Sequence, residues 1–393
     1  MYPNVYSIAK RKSTFVHSCL GYHRRRLLKP DGAGNISKYR HIVWRLSMYH
    51  LVPSAVCKPI IILLTLLHAA SVWSDQPVDS IATQSLAIAG ANARLAYFSS
   101  NDISGKHETT THAVIFIHGI KRNAGKYFDD AQKIATAVNI DQTRTLIISP
   151  QFLNDLDTSN ARLIHWHREQ WVDGASSIDD SHISGFAALD AILSTLNDQK
   201  RYPALKQIVI AGHSAGGQFV QRYAALNNVD AALRDAGINV RYVVANPSSY
   251  LWFDPQRPGG DDFYIPRTSC DYQRFKYGPK GIPAYAQPVD IEKLRTRYFS
   301  RNVIYLLGGA DTDPNHPVLD KSCAAALQGP HRLARGLNYL RYGLKVAPNN
   351  QQVLNIVPGV GHDDFKMYNA SCGRAALFGD VCANEINDAL RKR

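Results

Sequence analysis

The feature that most constrains the fold of this 393-residue chain is a strand, a tight turn and a helix in direct succession. Residues 207–211 (QIVIA) form a short run that is apolar and largely β-branched after Gln207, the pattern of a strand buried on both faces. Gly212-His213-Ser214-Ala215-Gly216 follows at once, and residues 218–226 continue with helical periodicity. This is a G-x-S-x-G turn in the setting it requires. The two glycines leave room where a Cβ would collide with neighbouring segments. The serine is held in strained geometry at the start of a helix, whose N-terminus favours developing negative charge.

The same rhythm runs through the chain. Residues 113–117 (AVIFI), 145–148, 240–245, 302–307 and 352–357 read as further buried strands. Residues 127–138 and 184–196 carry apolar side chains at helical spacing, Phe128, Ala131, Ile134 and Val138 in the first, Phe186, Leu189, Ile192, Leu193 and Leu196 in the second. Strands alternating with helices predict an α/β fold with a mainly parallel, doubly wound sheet. Residues 251–299, rich in Pro, Gly, Tyr and Arg, are too long for a tight connection and read as an inserted cap or lid.

A serine hydroxyl is a poor nucleophile near neutral pH and needs a base, and the base needs an orienting acid. Two glycine-bearing turns after later strands supply them. Gly308-Gly309-Ala310-Asp311-Thr312-Asp313-Pro314 offers Asp311 as the acid, with Asp313 as the alternative. Pro358-Gly359-Val360-Gly361-His362-Asp363-Asp364 offers His362 as the base. Acyl transfer builds a negative oxygen that preorganised N–H groups must meet. The backbone N–H of Ala215, directly after the serine, is one candidate donor. Ile120, in the loop His118-Gly119-Ile120-Lys121-Arg122-Asn123, is the other. Trp166 and Trp171 are candidates for a pocket wall, with core packing as the competing reading. Arg122 is a candidate anchor for an acidic substrate group, with a solvated loop charge as its competitor.

The formal charge of +13 raises the question of nucleic acid, but its distribution answers it. Residues 1–74 hold 11 basic residues and one acid; the remainder has 34 basic against 31 acidic residues. The folded part therefore gives no reason to expect a polyanion partner. Within the leader, the apolar run 59–67 (PIIILLTLL) follows Lys58 and precedes small residues, the pattern of a secretory signal peptide. Cleavage before Asp75 suits Val72 and Ser74, and a cut after Ala70 suits almost as well. An ordinary signal peptide would start at Met48, making 1–47 an upstream extension. An uncleaved N-terminal signal anchor and a transit peptide are the alternatives. The run is short for a membrane span, which needs about 20 apolar residues, and no stable span is expected in the mature chain.

Four cysteines follow the leader, Cys270, Cys323, Cys372 and Cys382. An even number in an exported chain predicts two disulfides with three connectivities. Cys372–Cys382 as a local clamp and Cys270–Cys323 as a longer tie are favoured. No cysteine or histidine spacing points to a metal.

Taken together, AVIFIHG, VIAGHSAGG, LLGGADTDP and VPGVGHDDF resemble the α/β-hydrolase superfamily of serine hydrolases over roughly residues 90–390. The resemblance implies an α/β-hydrolase domain over 75–393 and a Ser214–Asp311–His362 triad. It also implies an acyl-enzyme mechanism without a cofactor. The leading expectation is an exported carboxylic-ester hydrolase acting on a small-molecule or lipid-like ester. An acyltransferase or a peptidase on the same triad, and a non-catalytic binding module on the same fold, are the alternatives.

Overall fold

The computed structural model describes residues 76–159, 162–179, 182–379 and 382; the leader, with Met48 and both expected cleavage points, lies outside them. Twelve strands occur among the described residues. They are β1 (Gln84–Ala87), β2 (Arg94–Ser99), β3 (His112–Ile117), β4 (Thr145–Gln151), β5 (Leu153–Asn154) and β6 (His165–Trp166), then β7 (Gln207–His213), β8 (Asn239–Ala245), β9 (Arg257–Gly259), β10 (Asp262–Tyr264), β11 (Asn302–Gly308) and β12 (Val353–Val357). The helices are α1 (Ala124–Ala137), α2 (Gly185–Leu196), α3 (Ala215–Leu226), α4 (Val229–Asp235), α5 (Ile291–Ser300), α6 (Cys323–Ala326), α7 (Arg332–Val346), α8 (Asp364–Asn369) and α9 (Ser371–Phe378).

Eight strands form one sheet in the order β1-β2-β4-β3-β7-β8-β11-β12. From β4 to β12 every pairing is parallel, while β1 and β2 add an antiparallel edge. The chain leaves β3 for β4 on one side and returns for β7 on the other. The order thus reverses between β3 and β7, the kind of crevice where open α/β sheets place their sites.

The alternation of a β-strand explains how apolar runs build two cores at once. In β3, Ala113, Ile115 and Ile117 face a core shared with α2, α3, α5 and α7. Val114 and Phe116 face the opposite core, shared with α1, α8 and α9. The strands read as continuous hydrophobic stretches because both faces are covered.

One expectation is refined and one is met. The 251–299 segment holds the β9–β10 hairpin and α5, and its root is core: Leu251, Trp252 and Phe253 are buried. Trp252 packs on Tyr342 of α7 with ring centroids 4.4 Å apart. The cysteines pair as favoured, Cys270 with Cys323 and Cys372 with Cys382, with sulfurs 2.17 and 2.04 Å apart. Among the described residues no helix is long and apolar enough to cross a membrane.

Candidate active site

The C-terminal ends of β3, β7, β11 and β12 meet at one edge of the sheet. At the end of β7, Ser214 has φ 59° and ψ −118°, a conformation that a residue with a side chain holds only when its surroundings enforce it. Glycine makes this turn feasible. A Cβ on Gly212 would lie 2.3 Å from the carbonyl oxygen of Gly216, and one on Gly217 2.5 Å from that of Ala245. With these positions bare, α3 starts directly behind the serine and its backbone stays close to β3 and β8.

Ser214 Oγ lies 2.9 Å from Nε2 of His362, in the loop after β12. Nδ1 of the same ring lies 2.8 Å from Oδ2 of Asp311, in the turn after β11. A carboxylate only accepts, so Nδ1 carries the proton and Nε2 is left as acceptor for the serine hydroxyl. The two loops are cross-tied: Gly309 N–H donates to Val357 O and Ala310 N–H to Val360 O, both at 2.9 Å.

Burial pushes the Asp311 carboxyl up, but the hydrogen bond from His362 and the nearby charges of His362 and Arg332 outweigh it and hold the group below the usual carboxylate range. His362 is held below the ordinary imidazole value by burial and by the charge of Arg332, against the opposing pull of Asp311. Both shifts favour an ionised acid beside a neutral base.

Two main-chain N–H groups near the serine have no hydrogen-bond partner among the described residues. Ala215 is the first residue of α3, so its N–H has no partner within the helix. The other N–H is that of Ile120. Gly119 brings the Ile120 loop in: a Cβ there would stand 3.9 Å from Cβ of Ser214. A cavity of about 390 Å³ opens over the serine, with Ile120, Tyr127, His316, Pro317, Val318 and His362 in its lining.

No family model and no curated protein sequence matches the chain. Solved structures do. The chain is similar to poly(aspartic acid) hydrolase-1 from Sphingomonas sp. KT-1, with 25% identity and a TM-score of 0.51 over 74% of this chain and 96% of that one. It is also similar to LpqC, a poly(3-hydroxybutyrate) depolymerase from Bordetella parapertussis, with 21% identity and a TM-score of 0.52 over 76% and 89% of the two chains. The chain folds as an α/β-hydrolase.

Within this α/β-hydrolase the other candidate residues fall elsewhere. Trp166 and Trp171 are fully buried and do not line the cavity. A 3₁₀ turn over Gln170–Asp173 folds Trp171 inward, where it stacks on Phe152 at 5.1 Å and meets the edge of His118 at 4.7 Å. They are a hydrophobic floor behind the Ile120 loop rather than a pocket wall. Arg122 is neither solvated nor presented to the cavity: it is 1% exposed and paired with buried Asp157 at 2.8 Å. Its Nη2 donates to Gln76 O at 2.7 Å, and Val78 N–H donates to Asp157 Oδ1 at 2.8 Å. His118 accepts from Phe152 N–H at 2.9 Å and contacts Gly119 O at 2.9 Å, bracing the loop. Asp313 is exposed and accepts from Asn315 N–H at 2.8 Å, which shapes its own turn and leaves the imidazole to Asp311. No described residue of 251–299 lines the cavity, so that segment is not a lid over Ser214.

Two residues at the site escape sequence reasoning. Asn246, at φ 43° after β8, accepts from Gly308 N–H at 2.8 Å and contacts His213 Nε2 at 3.3 Å, linking three strand ends. Arg332, the first residue of α7, reaches the second oxygen of Asp311. Asn246 directly follows a predicted strand, and neither residue's type or spacing points to the triad.

Proposed function

We propose that the protein is a serine hydrolase of carboxylic esters. The observation that carries this reading is the continuous hydrogen-bonded chain from Ser214 through His362 to Asp311. Ser214 Oγ attacks the acyl carbon while its proton passes to Nε2 of His362. Asp311 holds the ring in the tautomer that can accept that proton and stabilises the imidazolium that forms. The N–H groups of Ile120 and Ala215 receive the negative oxygen of the tetrahedral intermediate. His362 returns the proton to the departing alkoxide, which leaves as the alcohol. Water then attacks the acyl-enzyme by the same route, releasing the acid and restoring Ser214.

The cavity supports an acyl group of modest size, since its volume lies at the small end of the range typical of ligand sites, about 300–1,000 Å³. Amide hydrolysis is the second reading, favoured by the similarity to a poly(aspartic acid) hydrolase. Export is part of the proposal, supported by the two cysteine pairs, which belong in an oxidising compartment.

The test is turnover of p-nitrophenyl esters of graded chain length beside matched anilides, with fluorophosphonate labelling. Ester turnover that disappears in Ser214→Ala, with label on Ser214, is the expected result. Undiminished activity in Ser214→Ala, or a wild type that neither turns over nor labels, overturns it. Faster cleavage of the anilides selects the second reading. N-terminal sequencing of exported protein tests processing, with a start at Asp75 or Ser71 expected.

A further inference from the structure

We propose that Arg332 is a positioning residue for the acid–base pair, acting on His362 through Asp311. The proposal rests on the serine-hydrolase reading above and assigns a role to a side chain outside its three reacting groups.

The Arg332 side chain is fully buried. Its guanidinium divides its donors among three partners. Nη1 donates to Asp311 Oδ1 at 3.3 Å, the oxygen that His362 does not use. Nε donates to Ser248 Oγ at 3.1 Å, and Nη2 to Val318 O at 2.7 Å. The next residue completes the grip, as Leu333 N–H donates to the main-chain oxygen of Asp311 at 3.2 Å. The first turn of α7 therefore holds both the carboxylate and the backbone of the acid. The positive end of the helix adds to the same field. Arg335, one turn on and also buried, donates to Gly329 O at 2.8 Å and to Asp320 O at 2.8 Å. The start of α7 is thus anchored without help from Asp311.

A buried arginine among main-chain oxygens alone would be costly, because its charge would lack a counter-charge. Here Asp311 is that counter-charge, and the exchange has a consequence for the base. A buried carboxylate whose only cation partner was an imidazole would draw a proton onto that imidazole at rest. A permanent cation on its other oxygen satisfies the carboxylate first. His362 then rests neutral, with Nε2 free to take the serine proton. Burial and the Arg332 charge act on His362 in this same direction.

Other titratable groups face the pair from several elements: His213 at the end of β7, Asp313 and His316 after β11, His331 beside α7, and Asp364 with its partner Lys126. His213 is held well below the ordinary imidazole value, mainly by burial, and stays neutral. Lys126 is occupied by Asp130 and Asp364. Among the described residues, only Arg332 places a permanent charge in contact with Asp311.

The experiment is the pH dependence of kcat/KM on p-nitrophenyl acetate for wild type, Arg332→Gln and Arg332→Lys, with urea unfolding of each. The wild-type acid limb is expected below the ordinary imidazole value of about 6.5. Arg332→Gln, which keeps donors but removes the charge, is expected to move that limb up by about one pH unit, costing about tenfold in activity on its acid side. Arg332→Lys keeps the charge, so its limb stays in place while its plateau falls, because an ammonium cannot reproduce the three-way fork. A simple structural brace would lower plateau and stability in both variants and leave the limb unmoved; that result overturns the proposal. If Arg332→Gln does not fold, a wild-type limb at or above about 6.5 overturns it, as does a shifted limb in Arg332→Lys. Absence of Ser214-dependent turnover in the wild type removes the serine-hydrolase reading and this proposal together. An active wild type with an unmoved limb removes this proposal alone.

Discussion

A Cβ placed on Gly216 would stand 2.1 Å from the carbonyl oxygen of Ile117. The obstacle is backbone, so no flexible side chain can yield. Gly216→Ala must push α3 away from β3 and carry the serine turn with it. It is expected to lose about 3 kcal/mol of stability, the upper end of overpacking costs, with ester turnover falling in step. Gly361→Ala is the contrast, since its nearest atom outside the chain neighbours is Ala310 O at 3.8 Å. It should stay within about 0.5 kcal/mol of wild type. Urea unfolding of both variants checks the pair.

Arg122 and Asp157 form an ion pair that is 1% and 0% exposed. Removing one member leaves a buried charge without its partner, so Asp157→Asn is expected to cost about 3–5 kcal/mol. Replacing both by apolar residues of similar volume should cost less than either single change. A double-mutant cycle in urea measures this, and a double variant weaker than both singles contradicts it.

His118 is held neutral by burial, with its folded value pushed down to about 4. The unfolded imidazole titrates near 6.5. Between these values the unfolded chain binds more protons, so stability falls as the pH drops from about 6.5 towards 4, by on the order of 3 kcal/mol from this residue. Below the folded value the contribution is gone. His118→Gln, which keeps an acceptor for Phe152 N–H, should flatten the curve in that window. Unfolding free energies at closely spaced pH values test it.

Asp311 and Asp313 stand two residues apart but differ in partner. Asp311→Asn keeps shape while removing the charge that fixes the imidazole tautomer, and a loss of about 10³–10⁴ in kcat is expected by analogy with serine proteases. Asp313→Asn should leave kcat close to wild type, because its carboxylate shapes only a turn. Steady-state kinetics on one ester separates the two.

The parts of the fold visible in the sequence are those where one residue type answers to one local demand. AVIFI and QIVIA could only be buried strands, and β3 and β7 contain them. The glycines around Ser214 meet backbone at distances no Cβ tolerates. What stayed hidden depends on partners far away in the chain. Arg122 reads as a substrate anchor or a loop charge until Asp157 is seen beside it, and nothing local ties Arg332 to Asp311. Trp166 and Trp171 read equally as pocket wall or core until the turn at Gln170–Asp173 is seen to fold the second one inward. Strands β1 and β2 are short and antiparallel at the sheet edge, so the parallel rhythm of the rest gives no hint of them.

The bonds from Arg122 to Gln76 and from Asp157 to Val78 make the start of the described chain part of the support for the Ile120 loop. Processing at the proposed sites would therefore bear on turnover. A cut before Asp75 keeps both bonds; an aminopeptidase advancing four residues beyond it would remove them and slacken the loop from behind, without entering the cavity or touching a reacting group.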